Sequence, residues 1–301
     1  MPHATSEAET AMDLFLQFLT NGLVVGVFYA LSALGLTLIF GLMRVVNFAH
    51  GEFYMLGGVV GWFVTTYLGL DFFSGLVLVA LAIGSFGWLV DRFLIERVRG
   101  QGEEPGILLT IGLSIFLVNI TLLAIGPAPL KVARAITEGP IFLGPVTITK
   151  MRLLAMVIGV ALIFGAHAII HRTRLGSAMR ATFQDPMAAS LAGIRTKQVY
   201  AATFALGCTL SALSGMLLAS IYSAQASVGG LVSLKSFVVV ILGGMGSFPG
   251  AIAGGLLLGV AEALWGGYVA TGMVDIIGFL LVILILVLRP QGLFSIRAER
   301  A

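Results

Sequence analysis

Long apolar runs dominate this sequence, and nothing else constrains its fold as strongly. A helix needs roughly 20 apolar residues to cross a bilayer core of about 30 Å. On that criterion spans are expected at residues 14–41, 53–70, 72–95, 107–126, 153–170, 199–222 and 273–288, with shorter segments at 236–246 and 250–267. Hydrophobic residues make up 58% of the 301 and charged residues only 10%, against roughly 25% charged in a soluble domain. The expected fold is therefore an all-α polytopic membrane protein, a single transmembrane domain over residues 1–301 with about eight or nine crossings. The count turns on 236–246. This segment ends at Gly243, Gly244, Gly246, Pro249 and Gly250, residues that interrupt a helix and make it a broken or re-entrant element.

The charges then orient the bundle. The net charge of +3 is spread over segment ends rather than gathered on one face, so it points to positive-inside topology and away from nucleic acid. Placing Arg44, Arg92, Arg97, Arg99, the cations of 172–197 and Arg289, Arg297 and Arg300 in the cytoplasm collects twelve of the seventeen Lys and Arg. Lys131, Arg134, Lys150, Arg152 and Lys235 are left outside. Nine crossings, with the N-terminus outside and the C-terminus inside, satisfy this assignment. The first thirteen residues carry Glu7 and Glu9 but no Lys or Arg; they lack the basic region of a signal peptide, and the first apolar run is expected to stay as a membrane helix. The lone Cys208, in an apolar run, excludes an intramolecular disulfide and reads as packing.

Small residues recur every fourth position at Gly22/Gly26/Ala30, Gly207/Ser211/Gly215/Ala219 and Ala251/Gly255/Gly259/Ala263, as seams where helix backbones approach closely. Residues 31–35 (LSALG) and 210–215 (LSALSG) are faintly alike, too short a match to establish an internal repeat.

The sharpest signal is the loop at 172–197, too long for a turn and too short for a domain. Within it Asp185 suits an N-cap, Pro186 the first helical position, and Gly193 a left-handed exit. Met187, Leu191 and Ile194, with Ala189 between them, put an apolar side on a cytosolic helix, a shape that fits a groove on another protein or packs on its own bundle.

With the preceding Thr173-Arg174-Leu175-Gly176-Ser177-Ala178-Met179-Arg180-Ala181, this helix resembles the ATPase-docking loop in permeases of branched-chain amino acid ABC importers. Two further stretches resemble the same family: 21–43 followed by Val46-Asn47-Phe48-Ala49-His50-Gly51-Glu52, and Val239 to Ser247 with Gly250, Gly254 and Gly255. The resemblance runs from residue 14 to about 292. It implies an importer with two cytoplasmic ABC ATPase subunits, a second related permease, a periplasmic substrate-binding protein and a small amino acid substrate, with membrane lipid around the bundle. The chain itself lacks a GxxxxGK[ST] loop, so ATP hydrolysis falls to a partner. No cofactor is expected, since Gly244-Met245-Gly246 follows no strand and misplaces the third glycine of a dinucleotide motif.

For the pathway, Glu262 stands out as the one carboxylate placed deep in an apolar span, with a pathway or helix-pairing role. Asn47, His50 and Glu52, at the inner end of the first span, position a re-entrant turn, line a gate or hold the loop by hydrogen bonds. Asn119 is expected to bond another helix or, alternatively, to touch substrate. Close relatives of the family carry urea or short amides, which keeps that substrate as the alternative. An ion-coupled carrier would call for more buried carboxylates. An intramembrane serine hydrolase would rest on Ser247 with His167 or His171, without an aspartate to complete it.

Overall fold

The computed structural model describes residues 3–43, 45–102, 104–132 and 139–294, with side chains from residue 11 onward. Arg44, Arg134, Arg297 and Arg300 of the topology argument, and the side chains of Glu7 and Glu9, lie outside the described residues.

The chain is nearly all helix: α1 (His3–Met43), α2 (His50–Trp62), α3 (Phe72–Val90), α4 (Glu96–Val98), α5 (Glu104–Ile125), α6 (Lys150–Arg172), α7 (Arg174–Gln184), α8 (Pro186–Leu191), α9 (Thr196–Ile221), α10 (Gly229–Gly243), α11 (Phe248–Tyr268) and α12 (Val274–Leu288). Wider π-helical turns extend α2 through Phe63–Tyr67 and link α3 to α4 through Asp91–Ile95. A short hairpin that sequence patterning did not anticipate, Pro140–Leu143 paired antiparallel with Val146–Thr149, precedes α6.

Seven helical stretches are long and apolar enough to cross a membrane, and α10 is a shorter apolar helix. Burial sorts them. In α1 and α9, 72% of the apolar window is buried, against 11% in α12, so α1 and α9 form the axis and α12, α5, α6 and α3 the rim. Rim helices present side chains such as Leu123, Phe164 and Val287 outward, as expected of a bundle surrounded by hydrocarbon.

The small-residue stripes are the seams around this axis. A Cβ on Gly22 would stand 2.6 Å from the Val260 backbone, one on Gly26 2.9 Å from Leu256, and one on Gly259 2.5 Å from Gly26, so α1 and α11 touch backbone to backbone. On the other side of the axis a Cβ on Gly215 would fall 1.9 Å from the Tyr54 carbonyl oxygen of α2. The two LSAL stretches cross each other: Ser32 Oγ lies 3.2 Å from Ser211 Oγ, beside the Gly35–Gly207 contact.

Caps follow local chemistry. Asp71 accepts from the Ser74 amide at 3.0 Å and starts α3. The hydroxyl and amide of Ser74 hold its carboxyl below the usual carboxylate range. Thr173 caps α7, Asp185 caps α8 and Ser247 caps α11.

Two shorter helices break the pattern. Gly51 of α2 and Gly229 of α10 meet: a Cβ on Gly51 would stand 2.0 Å from the Gly229 carbonyl oxygen. From there α2 runs parallel to α9 and α10 parallel to α1, toward opposite ends of the bundle. At 1.5 Å per residue, α10 is about 22 Å long, too short to traverse the bilayer unaided. The helix begins at Gly229, seven residues before the expected start, because Lys235 splits the apolar run that defined 236–246. Lys235 is thus in the second turn of a helix.

Candidate functional site

Three places in the bundle hold the polar chemistry.

The first is the elbow between α1 and α2. Asn47, His50 and Glu52 are all fully buried. They do not sit at the inner end of the first span, as the apolar pattern implied, but deeper in the bundle. His50 Nε2 lies 2.9 Å from the Ser32 carbonyl, eleven residues back from the end of α1. Asn47 Oδ1 accepts from the Ala49 amide at 3.1 Å and turns the chain. Ser233 Oγ of α10 receives the Gly51 N–H at 2.8 Å and donates to the Phe48 carbonyl at 3.0 Å. Thr110 of α5 reaches the Val46 carbonyl at 3.2 Å, and Ser114 donates to Glu52 Oε1 at 3.0 Å. Glu52 is in the first turn of α2 and against the first residue of α10, so the positive ends of two helix dipoles face its carboxylate. Its Oε2, with Asn47 Nδ2 and His50 Nδ1, is buried without a hydrogen-bond partner among the described residues. A serine cluster, Ser32 with Ser211 and Ser236, ties the elbow to α1, α9 and α10.

The second lies toward the opposite end from α7. Glu262 of α11 receives Lys235 Nζ of α10 at 2.9 Å and the Tyr29 hydroxyl of α1 at 2.8 Å. Lys235 also donates to Tyr29 at 3.0 Å and pairs with Asp275 of α12 at 3.0 Å. The cluster as a whole therefore joins four helices. Glu262 is also not the only buried carboxylate: Glu52 and Asp91 are buried in helices as well, Asp91 held by Arg99. Sequence reasoning found Glu262 but missed Lys235, Tyr29 and Asp275. The usable signal was that a membrane carboxylate requires a partner, and Lys235 lies within the neighbouring apolar segment.

The third is the α6–α9 loop. Thr173 Oγ1 accepts from the Gly176 amide at 3.1 Å. A Cβ on Gly176 would stand 2.1 Å from the Ile170 carbonyl oxygen, so only glycine lets α7 fold back on α6. Arg180 donates to that same carbonyl. Asp185 Oδ1 takes the amides of Met187 and Ala188 at 2.8 and 3.0 Å, Pro186 occupies the first turn, and Gly193 adopts φ +85°. On α8, Ala189 is buried while Met187 and Leu191 are 75% and 83% exposed. Ile194 is half-buried, so the apolar face is narrower than the spacing implied. Arg174 opens α7 on the surface.

The remaining candidates fall outside these groups. Asn119 is exposed on α5 and donates to the Ile115 carbonyl of its own helix at 2.7 Å, which corrects the expectation of an inter-helix bond. Gly243 ends α10, Gly244 and Gly246 take φ +99° and +82°, and Pro249 sits in the first turn of α11. A Cβ on Gly250 would lie 2.2 Å from the Gly243 carbonyl oxygen, so these residues form a tight reversal between two helices. Ser247 Oγ caps α11 at 3.1 Å from the Gly250 amide. The His167 ring lies tilted against His171, with centroids 4.2 Å apart, and against Phe248 at 5.5 Å. No hydrolytic triad forms among the described residues.

Seven helices long and apolar enough to cross a membrane, two shorter helices meeting inside the bundle and a capped α7–α8 pair define a polytopic membrane protein. Comparison with known proteins narrows this. Residues 18–288 match the family described as "Branched-chain amino acid transport system / permease component", and the chain belongs to that family. It is 36% identical over 294 residues to the high-affinity branched-chain amino acid transport system permease protein BraD of Pseudomonas aeruginosa, covering 93% of this chain and 96% of BraD. It is 34% identical over 297 residues to LivH of Escherichia coli K12, with the same coverage. LivM of that bacterium, a related permease, is 26% identical over 292 residues, covering 88% of this chain and 67% of LivM.

Proposed function

We propose that this chain is one of two related permease subunits of an ATP-driven importer of branched-chain amino acids, working with a periplasmic binding protein and two cytoplasmic ATPases. The names of the relatives, branched-chain amino acid transport permeases, support that substrate class over urea and short amides. The LivM-like relative supports a paired permease. The observation that carries the coupling role is α8: a helix fixed at both ends by Asp185 and Gly193 that holds Met187 and Leu191 out of the bundle. Large exposed side chains on a rigid support fit a groove on a partner.

In this reading the α7–α8 end is cytoplasmic. ATP-driven closure of the ATPases displaces α8, Ala189 and Arg174 move with it, and the close Gly176–Ile170 packing passes the motion to α6. The reversal at Gly243–Gly250 and the elbow at Asn47–Glu52 let α10 and α2 change tilt, switching access between the two ends. Asn119 faces lipid or the second permease.

The test is uptake of labelled leucine, isoleucine, valine and urea by proteoliposomes with all subunits, comparing wild type with Leu191→Arg. The variant is expected to lose branched-chain uptake by about tenfold or more while the permease pair still assembles. Wild-type uptake by Leu191→Arg would remove the coupling role, and uptake of urea alone would overturn the substrate.

A further inference from the structure

An open cavity of about 490 Å³ lies at the end of the bundle opposite α7 and α8, between the first turn of α6, the end of α9 and the Glu262 cluster. Its size is that of a small-molecule site. What sets it apart is the separation of charge on its walls.

One wall carries Arg152, whose guanidinium donates to Asn21 Oδ1 at 2.9 Å and to the Tyr222 hydroxyl at 3.1 Å. It stands 5.5 Å from the Tyr222 ring and has no acidic partner among the described residues. Two neutral groups therefore aim the cation without discharging it.

The opposite wall has one cation and two acids. Lys235 directs its ammonium at Tyr29, Glu262 and Asp275, which occupies all three of its N–H donors. Glu262 uses Oε2 for both of its bonds and Asp275 uses Oδ1, which leaves Glu262 Oε1 and Asp275 Oδ2 as acceptors without a partner among the described residues. That wall has a net charge of −1 and acceptors to spare; the facing wall has +1 and guanidinium donors to spare. Phe18, Val25 and Leu218 line the same cavity.

A cavity lined by a fixed cation, by surplus carboxylate oxygens and, beside them, by an apolar strip matches the two charged groups and the side chain of an aliphatic amino acid zwitterion. We propose that the permease itself holds the substrate here, its α-carboxylate on Arg152, its α-ammonium on Glu262 and Asp275, and its hydrocarbon side chain against Phe18 and Val25. The proposal rests on the importer reading above. It adds a recognition step inside the membrane subunit, after release from the binding protein.

The experiment uses the assembled complex of both permeases and ATPases without binding protein, with saturation-transfer difference NMR as readout. The probes are leucine, leucinamide, which lacks the carboxylate, and 4-methylpentanoate, which lacks the ammonium. Leucine is expected to give the strong signal and both analogues a small fraction of it. Arg152→Gln and Asp275→Asn are each expected to cut the leucine signal by about tenfold or more, and Arg152→Lys to recover part of it. If Arg152→Gln does not assemble, Asp275→Asn, at a half-exposed position, decides alone. Equal signals from the three probes, or an undiminished leucine signal in the variants, would overturn the site. A wild-type complex that imports leucine with ATP and binding protein yet shows either result keeps the importer reading and loses this one. A wild type that imports no leucine loses both.

Discussion

Glu52 and Glu262 are both buried carboxylates in apolar helices, yet their surroundings are opposite. Glu262 meets a cation and a phenol at hydrogen-bond distance. Glu52 meets one serine hydroxyl and two helix N-termini, with no cation in ion-pair range among the described residues. A buried charge is tolerable when paired, and removing one member of a pair leaves the other uncompensated. Glu262 therefore belongs to an electrostatic unit in which every member depends on charge. Glu52 belongs to a packing unit, in which the backbones of α2 and α10 approach so closely that shape matters more than charge.

That contrast is most exposed to test at the glycines. A Cβ on Gly229 would stand 2.0 Å from Glu52 Oε2, and one on Gly51 the same distance from a backbone oxygen. Gly51→Val, whose side chain would drive into the Gly229 carbonyl and the Ser233 amide of α10, is thus expected to give no folded protein, read as loss of the monodisperse peak in detergent extracts. A stable Gly51→Val protein would show that α2 and α10 do not meet as described. Next in size is Glu262→Gln. It leaves Lys235 with Asp275 as its sole acid, and uptake is expected to fall by about thirtyfold, since losing one partner of a desolvated pair costs roughly 2–5 kcal/mol. Glu52→Gln keeps the shape and the acceptor for Ser114 and loses only the charge facing the helix N-termini, worth roughly 0.3–1 kcal/mol, so uptake is expected to fall by no more than about fivefold. Reversal of that order would mean that Glu52 functions as a charge.

How much of this was legible beforehand follows from the same contrast. Apolar runs specify helices, so the spans of α1, α3, α5, α6, α9, α11 and α12 could be read directly, as could the cap and exit of α8 from Asp185, Pro186 and Gly193. Where charge interrupts an apolar run, the pattern failed: Lys235 hid the first half of α10, and His50 and Glu52 made the start of α2 look like a loop. The basic, weakly apolar α7 and the hairpin before α6 gave no run to detect. Glu262 was visible as a lone acid, whereas its partners Tyr29 and Lys235 lie 233 and 27 residues away in the chain. Only the packing of α1, α10 and α11 brings them together.

Asn119 supplies the smallest expected effect and the control for the comparison. It is a polar side chain in an apolar helix, like the two glutamates, but it is exposed and satisfied by the Ile115 carbonyl one turn back. Its bond leaves no other helix dependent on it, so Asn119→Leu should change the thermal unfolding midpoint of this chain by no more than about 0.5 kcal/mol of stability implies. If instead the variant is neutral in the isolated chain but loosens the assembled complex, measured as dissociation on native gels, the α5 face is where the second permease packs. A polar group on that face would then be satisfied between subunits, as Glu262 is satisfied within one.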